Sequence, residues 1–536
     1  MCPSTFRRMA CASTSEKAPK GIRSVSSTRA AAVNKPSPKA KPDLLKRLRQ
    51  AFSGLSRCRI LKLRDAYQLV GESVRVPYEG FPMELILGKD GKHLRLYPEY
   101  PLQRGVNGDK NPGEAEQPPC FVLEAPDHNG TTIGGFLRLE PGEKVTLGRD
   151  DPQQQAMFNY PEGVAKRHLR LTHDGDAVVF EDKTSAGTCL SPGLNEEKTD
   201  RLACLRRIRD IFGGPLKLLP ADEALALIGE VNQLMEQEAL RPRDSRGLPG
   251  GLLRLPAEPT PIVVADLHAQ VDNLLVILSH NGFLHALEKG EACMVILGDA
   301  VHSERDGQLD QMDDSMLIMD LIFRLKLRFP ENFFFIRGNH DSFGEEISKG
   351  GVPQGMFWRR ALKKARGKDY RKAMQRYYDL LPYIVASPDF CATHAAPPRS
   401  KVSADMLVDI ASYPGLIPEL ITNRMARPNR PGGYTKGDVR RLRKTLELPP
   451  GTPFIVGHTP MDMTETYWLN VGAAENHHIL YSASDKWVGA FTRIGGQMWP
   501  LRYPCEPLVE LTNRLASDEG PADTGAAESQ AKSGDS

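Results

Sequence analysis

Five short apolar runs between residues 262 and 458 each lead directly into polar side chains that commonly bind metals. When several strands end in such residues, their carboxyl ends define one crevice at the edge of a sheet. Helical patterns at 271–287 and 311–327 separate the first runs, so residues 259–508 are predicted to form an α/β domain. The five segments are Ile262–Ala265 before Asp266 and His268, Met294–Leu297 before Asp299, Phe333–Ile336 before Asn339 and His340, Phe390–Thr393 before His394, and Phe454–Val456 before His458.

These side chains make up a donor set of two Asp, one Asn and four His, without Cys. Such a set suits two adjacent divalent cations, because hard or borderline metals take nitrogen and oxygen ligands and one carboxylate can lie between them. A pair of ions clamps a phosphate, lowers the pKa of a bound water to near neutrality and supports in-line attack. A neighbouring His that binds no metal can protonate the leaving oxygen. The donor types accept Mn, Fe or Zn, and Mn is the expected metal.

The same segments resemble the motifs of calcineurin-like metallophosphoesterases, and more closely those of phosphoprotein (Ser/Thr) phosphatases. The resemblance covers most of residues 260–490 and implies a central β-sandwich flanked by helices. The family patterns G-D-x-H-G-Q, G-D-x-V-D-R-G and L-R-G-N-H-E are similar to Ala265–Gln270, Gly298–Glu304 and Ile336–Asp341.

The resemblance also implies a role for each position of the donor set. Asp299 is expected to bridge the two ions, and His340 is expected to be the general acid. The other ligands divide between the two metals, with Asp266 and His268 on the first and Asn339, His394 and His458 on the second.

The sequence departs from the family at residues that orient the general acid and bind the substrate phosphate. The Asp and Arg that orient the acid and grip the phosphate are replaced by His302 and Ser303, so His302 is expected to act as a second catalytic residue beside His340. Arg430 and Arg337 are the candidate contacts for the substrate phosphate. The expected substrate is a phosphorylated protein. Two alternatives stay open: a small-molecule phosphohydrolase of the diadenosine polyphosphate type, and a non-catalytic phosphopeptide-binding scaffold.

Residues 120–195 contain short strands separated by Gly, Asp and Asn, which predicts an all-β module. It contains three motif segments, Gly148–Arg149, Ala165–His168 and Asp182–Thr188. These segments resemble the motifs of forkhead-associated (FHA) domains, β-sandwiches whose loops bind phosphothreonine peptides. The resemblance implies that Arg149 and Lys166 contact the phosphopeptide of a partner protein. Ala165 and Ala186 replace polar residues of the family pattern, so a sandwich that no longer binds phosphothreonine is the alternative.

Charge is distributed unevenly over the 536 residues, although the net charge is only +3. Residues 1–42 contain nine Lys/Arg and one acid, which predicts a disordered basic tail, with an organellar presequence as the less favoured alternative. Residues 509–536 are predicted to be a disordered acidic tail. Residues 43–119 are predicted to be a mixed segment and linker, and residues 196–258 a helical connector and linker.

Composition also excludes several partners. The nearly neutral body offers no broad basic surface for nucleic acid. No apolar run approaches the ~18 residues that a membrane helix requires, so no membrane partner is expected. The nine cysteines are scattered and form no C-x-x-C pair, which favours reduced thiols and a cytoplasmic location.

Overall fold

The structure is a computed structural model, and it describes residues 58–89, 91–102, 118–125, 133–193, 197–427, 431–462 and 464–515. The predicted basic tail at 1–42 and the candidate phosphate contact Arg430 lie outside these ranges. So do residues 103–117 of the predicted linker and residues 516–536 of the predicted acidic tail.

Residues 59–192 form two packed, mainly antiparallel sheets. In chain order the elements are β1 (Arg59–Ile60), β2 (Tyr67–Leu69), β3 (Ser73–Pro77), β4 (Met83–Leu87), β5 (Lys92–Glu99), β6 (Cys120–Glu124), β7 (Phe136–Leu139), β8 (Lys144–Leu147), α1 (Pro152–Phe158), β9 (Leu169–His173), β10 (Ala177–Asp182) and β11 (Thr188–Pro192). One sheet has the order β1-β3-β10-β9-β8 and the other β2-β11-β4-β5-β6-β7. An all-β module is therefore present.

The module begins before the predicted boundary at residue 120. Strands β1 to β5 come from the segment predicted to be mixed, and they enter both sheets. Strand β3 pairs along its whole length with β10, from Ser73 opposite Glu181 to Pro77 opposite Ala177. Every second residue of β3 is buried, Val74 and Val76 among them, as expected for a strand with one face in the core.

Two helices follow the sandwich, α2 (Glu197–Phe212) and α3 (Ala221–Glu236). The buried residues of α3 lie at helical spacing and include Ala224, Leu227 and Val231, so the helix has one apolar face. Asn232 on the same face donates a hydrogen bond to the Ala373 carbonyl, 3.0 Å away. This pair of helices is therefore packed on the following domain and is more than a connector.

The remaining elements form the second domain. Its strands are β12 (Leu252–Arg254), β13 (Thr260–Val264), β14 (Ala292–Ile296), β15 (Phe333–Phe335), β16 (Ile384–Ala386), β17 (Cys391–Thr393), β18 (Phe454–Val456), β19 (Tyr467–Trp468), β20 (His477–Leu480), β21 (Trp487–Ile494) and β22 (Gln497–Pro504). Its helices are α4 (Val271–Ser279), α5 (Phe283–Glu288), α6 (Asp313–Arg328), α7 (Gln354–Leu380), α8 (Ala404–Val408), α9 (Leu416–Ile421), α10 (Lys436–Thr445) and α11 (Leu508–Arg514).

The strands of this domain form two sheets that pack face to face. Their orders are β15-β14-β13-β21-β22 and β12-β16-β17-β18-β20-β19. Val263 and Val295 of the first sheet share one apolar cluster with Ile455 of the second. Neighbouring residues point the other way, so Ile262 packs among the helices α4 to α7, whereas Phe454 packs among α8 to α10. The predicted α/β class is thus confirmed, with a sandwich between helical layers.

Two other predicted boundaries differ from the structure. Within the predicted linker, β12 joins a sheet and the buried Arg241 donates to the Leu380 carbonyl, 2.6 Å away. Within the predicted acidic tail, α11 packs against α4, and the Val509 amide donates to Asp272 Oδ1 at 2.7 Å. Hydrogen bonding and burial, rather than composition, decide that these segments belong to the domain.

Buried charges join the β module to the second domain. Glu99 of β5 forms an ion pair with Arg138 of β7 and lies 2.7 Å from His280 Nε2, just after α4. Glu506 accepts a hydrogen bond from the Leu102 amide at 2.6 Å and pairs with Arg201 of α2 at 2.7 Å. A continuous apolar core also runs through both units.

None of the helices in the described ranges combines the length and the apolar composition needed to cross a bilayer. The seven cysteines that lie in those ranges form no disulfide.

Candidate metal centre

The topology brings the carboxyl ends of five strands to one edge. Strands β13, β14 and β15 run parallel to one another, and so do β17 and β18 of the facing sheet. Because the chain leaves parallel strands at the same edge, the residues that follow them share one crevice. These residues are Asp266 and His268, Asp299, Asn339 and His340, His394, and His458.

One cluster of donors surrounds His394. Its Nε2 lies 3.2 Å from Asp299 Oδ2, 3.2 Å from His458 Nδ1 and 3.0 Å from the side-chain oxygen of Asn339. The donor atoms of Asp299, His394 and His458 all lie within 4.8 Å of one another. The predicted second-metal ligands therefore converge, with Asn339 beside them.

A second cluster shares one residue with the first. Donor atoms of Asp266, His268 and Asp299 also lie within 4.8 Å of one another, and all three side chains are buried. His268 Nε2 is 4.0 Å from Asp266 Oδ2. Asp299 thus stands between two groups of donors, which is the arrangement that a bridging carboxylate requires.

Hydrogen bonds from the backbone orient the ligands. His394 Nδ1 lies 2.8 Å from the Leu297 carbonyl, so this nitrogen carries a hydrogen and leaves Nε2 to face the cluster. His268 Nδ1 lies 3.2 Å from the His302 carbonyl and is fixed in the same way. The His458 amide donates to both oxygens of Asp266, at 3.1 and 2.9 Å.

Tight backbone turns aim the side chains into the crevice. His268, Asp299, His302 and His458 all have left-handed φ angles, of 44°, 50°, 69° and 65°. Non-glycine residues adopt this conformation at a cost, and such strain is concentrated at functional sites. Gly338 is required for a different reason, since a Cβ there would lie 2.1 Å from Asp299 Oδ1.

The charges of the cluster shift several pKa values. Burial acts to raise the pKa of Asp299, but the nearby His394 and His340 outweigh it and hold that pKa well below its usual value. Burial raises the pKa of Asp266 to about 6. Burial opposes protonation of His394, yet Asp299 and Asp266 raise its pKa to about 9. A proton on His394 therefore offsets part of the negative charge of Asp299 and Asp266.

His340 and His302 form a pair next to the donors. Their Nδ1 atoms are 3.1 Å apart, so one ring donates to the other along this line. The His302 amide donates to Ser315 Oγ at 2.9 Å, and the Trp358 ring lies against the His302 ring. Burial lowers the pKa of His340 to about 4, and burial together with His340 holds the pKa of His302 well below its usual value.

Asp341 has a structural role that the sequence analysis did not assign. Its Oδ2 accepts hydrogen bonds from the Gly338 amide at 2.7 Å and the Asp299 amide at 3.1 Å. Burial, followed by the charge of Asp299, raises the pKa of Asp341 to about 7. Its position directly after His340 in the third motif was the available signal.

Glu304 and Lys349 occupy the rim of the crevice. Glu304 Oε1 lies 3.6 Å from His268 Nε2, and its carboxylate pairs with Lys349 at 2.5 Å and accepts from the Tyr481 hydroxyl at 3.0 Å. Glu304 is the last residue of the second motif, and that position was the signal available in the sequence. Lys349 lies in no motif, so only the fold brings it here.

The two arginines predicted to bind substrate phosphate have different outcomes. The Arg337 guanidinium donates to the Tyr378 carbonyl at 2.9 Å and lies over the Tyr383 ring, so it is held at the end of α7 and is not brought into the cluster. Arg430 lies outside the described residues. Arg424 is close enough for its charge to contribute, after burial and His394, to lowering the pKa of His458.

The three motif segments of the β module meet at one end of the sandwich. The Arg149 amide donates to the Ala165 carbonyl at 3.3 Å, and its Nε donates to the Val164 carbonyl at 2.6 Å. The buried His168 links this loop to the third motif through the Gly187 carbonyl, 2.9 Å from its Nε2. Arg149 and Lys166 are both exposed at this end.

Comparison with known proteins finds similarity over the segment that contains the crevice. Residues 260–471 match the family described as calcineurin-like phosphoesterase. An 87-residue stretch is 36% identical to the serine/threonine-protein phosphatase PP1-delta of Caenorhabditis elegans, and it covers 16% of this chain and 24% of that relative. The chain thus spans about a quarter of the length of the curated relative that it matches.

Solved structures with some similarity are also phosphatases by name. One is a protein serine/threonine phosphatase from Saccharomyces cerevisiae with similarity to human phosphatase PP5, at 17% identity and a TM-score of 0.40, covering 53% of this chain and 90% of that one. Another is the cold-active protein-tyrosine phosphatase of a psychrophilic Shewanella species, at 13% identity and a TM-score of 0.29, covering 46% of this chain and 82% of that one. Residues 260–471 of this chain are thus similar to calcineurin-like phosphoesterases.

Proposed function

We propose that the protein is a metal-dependent phosphomonoesterase that acts on phosphorylated serine and threonine residues. One observation carries this proposal: the carboxylate of Asp299 belongs to two separate groups of converging donors. A structural cluster of polar residues has no need of a shared carboxylate, whereas a two-ion site does.

The donors fit a pair of divalent ions. They are nitrogen and oxygen atoms without sulfur, they are buried or half-buried, and backbone hydrogen bonds orient several of them, which suits Mn, Fe or Zn, with Mn favoured. Asp266, His268 and Asp299 would hold one ion, and Asp299, Asn339, His394 and His458 the other. When bound, such ions supply a nucleophilic water near neutral pH and neutralise charge on the phosphate.

The side chains of this chain provide the remaining chemistry. His340 gives a proton to the departing serine or threonine oxygen, as a general acid, once the negative charge of a bound phosphate offsets the burial that lowers its pKa in the free protein. His302 holds the His340 ring through the Nδ1–Nδ1 contact and so directs the other nitrogen, Nε2, away from itself. Asp341 accepts hydrogen bonds from the amides of Asp299 and Gly338, and it thereby fixes the backbone next to Asp299 and His340.

Protein substrates are favoured over small molecules by the 36% identical stretch shared with a serine/threonine-protein phosphatase. The exposed end of the β module, with Arg149 and Lys166, offers a second phosphopeptide contact. The alternative, a hydrolase of dinucleotide polyphosphates, is favoured by one observation: Ser303 stands where the family has a phosphate-binding Arg.

The test is hydrolysis of p-nitrophenyl phosphate by the full chain loaded with Mn²⁺. We expect Asp299→Asn to lower turnover by a factor of about 100 or more, because it weakens both ion sites together. Asp310→Asn, an exposed Asp outside the cluster, is the matched control. Wild-type turnover in Asp299→Asn would overturn the proposal. Phosphate release from phosphoserine, phosphothreonine, phosphotyrosine and dinucleotide substrates then separates the two substrate classes.

A further inference from the structure

Helix α7 lines a concave pocket of about 450 Å³ with an unusual concentration of positive charge. Phe343 and Met356 are the apolar residues of its lining, and Glu345 is the acidic one. The rest of the lining is cationic and consists of Arg359, Arg360, Lys363, Lys368 and Arg371.

A break in the helix gives the pocket its shape. Gly367 has φ 88° and ψ 177°, which interrupts α7 and divides it into two arms. Arg359 and Lys363 lie one turn apart on the first arm, and Lys368 and Arg371 lie one turn apart on the second. The opposite face of the helix is buried, so the cations of both arms are turned to solvent.

Three other basic residues of this helix have acidic partners. Arg366 pairs with Asp320, Lys372 with Asp369, and Arg376 with Glu236. Within the described ranges, none of the five pocket cations forms an ion pair with a carboxylate. Like charges one helical turn apart repel each other, so this arrangement destabilises the free protein. An anionic ligand would remove that repulsion.

The pocket lies next to the metal centre. Phe343 follows the acid His340 by three residues, and its ring is 5.7 Å from that of Tyr378. The Tyr378 hydroxyl accepts a hydrogen bond from Trp358 Nε1 at 2.9 Å, and the Trp358 ring lies 6.2 Å from the His302 ring. The buried Tyr378 and Trp358 therefore lie between the pocket residue Phe343 and the catalytic pair, so the pocket adjoins the metal centre.

We propose that this pocket binds an acidic stretch of a phosphoprotein substrate, close in sequence to the residue that is dephosphorylated. The inference rests on the proposed function and adds a substrate preference to it. A concave site with apolar residues in its lining fits a peptide, which inserts side chains between the cations. A flat membrane surface would reach only its rim, and nucleic acid requires a longer basic track than this single helix offers.

The experiment compares two phosphopeptides that differ only in flanking residues, acidic in one and neutral in the other. The pocket variant is Lys363→Glu/Lys368→Glu. The matched control is Lys289→Glu/Lys364→Glu, which makes the same charge change on exposed residues that do not line the pocket.

We expect the wild type to have a kcat/KM about tenfold higher for the acidic peptide at low ionic strength, through electrostatic attraction that salt weakens. The pocket variant loses this preference, while the control variant keeps it. Equal kcat/KM values for the two peptides with the wild-type protein would overturn the proposal.

A binding measurement separates this inference from the catalytic proposal. Fluorescence anisotropy of a labelled, unphosphorylated Glu-rich peptide is measured with the wild type and both variants, and it needs no turnover. Binding that is lost only in the pocket variant supports the pocket even if no phosphate ester is hydrolysed. No binding by the wild type contradicts it. Pocket-dependent binding of phosphatidylserine vesicles or single-stranded RNA, without binding of the peptide, would assign the pocket to that other ligand.

Discussion

The Nδ1 atoms of His302 and His340 lie 3.1 Å apart, so each imidazole fixes the orientation of the other. We expect His302→Ala to lower kcat by roughly tenfold to a hundredfold, because the general acid loses the partner that holds its ring. KM and bound metal, measured by mass spectrometry, should stay close to wild type. His302→Asn retains a side chain that can hydrogen-bond to His340 and should recover part of kcat. Loss of metal in His302→Ala would show that the residue supports the ligands instead.

Metal binding should release protons. The lone pair on His394 Nε2 accepts either a proton or a metal ion, and the neighbouring carboxylates raise the pKa of this residue to about 9. Below pH 9 a bound ion must therefore displace a proton, so the apparent metal affinity should fall as the pH is lowered from 9 to 7. Titration calorimetry in buffers of different ionisation enthalpy measures the protons released. Binding without proton release would contradict the expected protonation of His394.

The close approach of Gly338 to Asp299 leads to a prediction about a single methyl group. A Cβ at Gly338 would meet Asp299 Oδ1 at 2.1 Å, so Gly338→Ala must displace the shared carboxylate. Activity should fall by about a hundredfold, as expected for a shift of about 1 Å in a reacting geometry. Gly415→Ala has open space around the new methyl group and serves as the control. Normal turnover in Gly338→Ala would mean that the carboxylate position is not critical.

The buried charges between the two units should make the protein sensitive to acid. Burial, followed by Arg201, lowers the pKa of His280, so this side chain stays neutral when folded and takes up a proton near its ordinary value of 6.5 only when unfolded. The pKa of Glu99 is also lowered, because Arg138 and His280 outweigh the opposing effect of burial. Both contributions to the free energy of unfolding are present at neutral pH. That of His280 is lost as the pH falls below 6.5, and that of Glu99 below its ordinary value of 4.5.

Substitution of Glu99 tests the contribution of these buried charges directly. Glu99→Gln removes one partner of a buried ion pair and should lower the free energy of unfolding by about 3 kcal/mol at pH 7. Glu79→Gln, at an exposed position of the same module, should have little effect. Denaturant titrations at pH 7 and pH 5 measure both changes. A wild-type protein equally stable at the two pH values would contradict the expected role of His280.

The ligands of the candidate metal centre could be predicted because each of them lies beside a local pattern in the sequence. Each apolar run ends at its ligands, and parallel pairing of the strands then leads Asp266, Asp299 and His394 to one edge. The pairing of His302 with His340 was also expected, since His302 occupies the position of the residue that orients the acid in the family.

Long-range packing could not be predicted in the same way. Lys349 lies in no motif and reaches the site only through its pairing with Glu304. Arg337 belongs to a motif, yet the carbonyl of Tyr378 at the end of α7 holds its side chain. The early strands of the β module were missed because Val74 and Val76 alternate over a short run, and the pairing of β3 with β10 is visible only in the sheet.

The contacts of Glu506 limit where this chain can be divided into separate domains. It lies near the end of the second domain and accepts a hydrogen bond from the amide of Leu102, at the edge of the β module, while it pairs with Arg201 between them. Cutting the chain after α2 would separate the buried Glu506 from Arg201, and cutting it before α2 would remove the hydrogen bond from the Leu102 amide. The β module therefore differs from the portable domains that recombination moves between proteins, and we expect limited proteolysis to release no stable fragment that consists of the second domain alone.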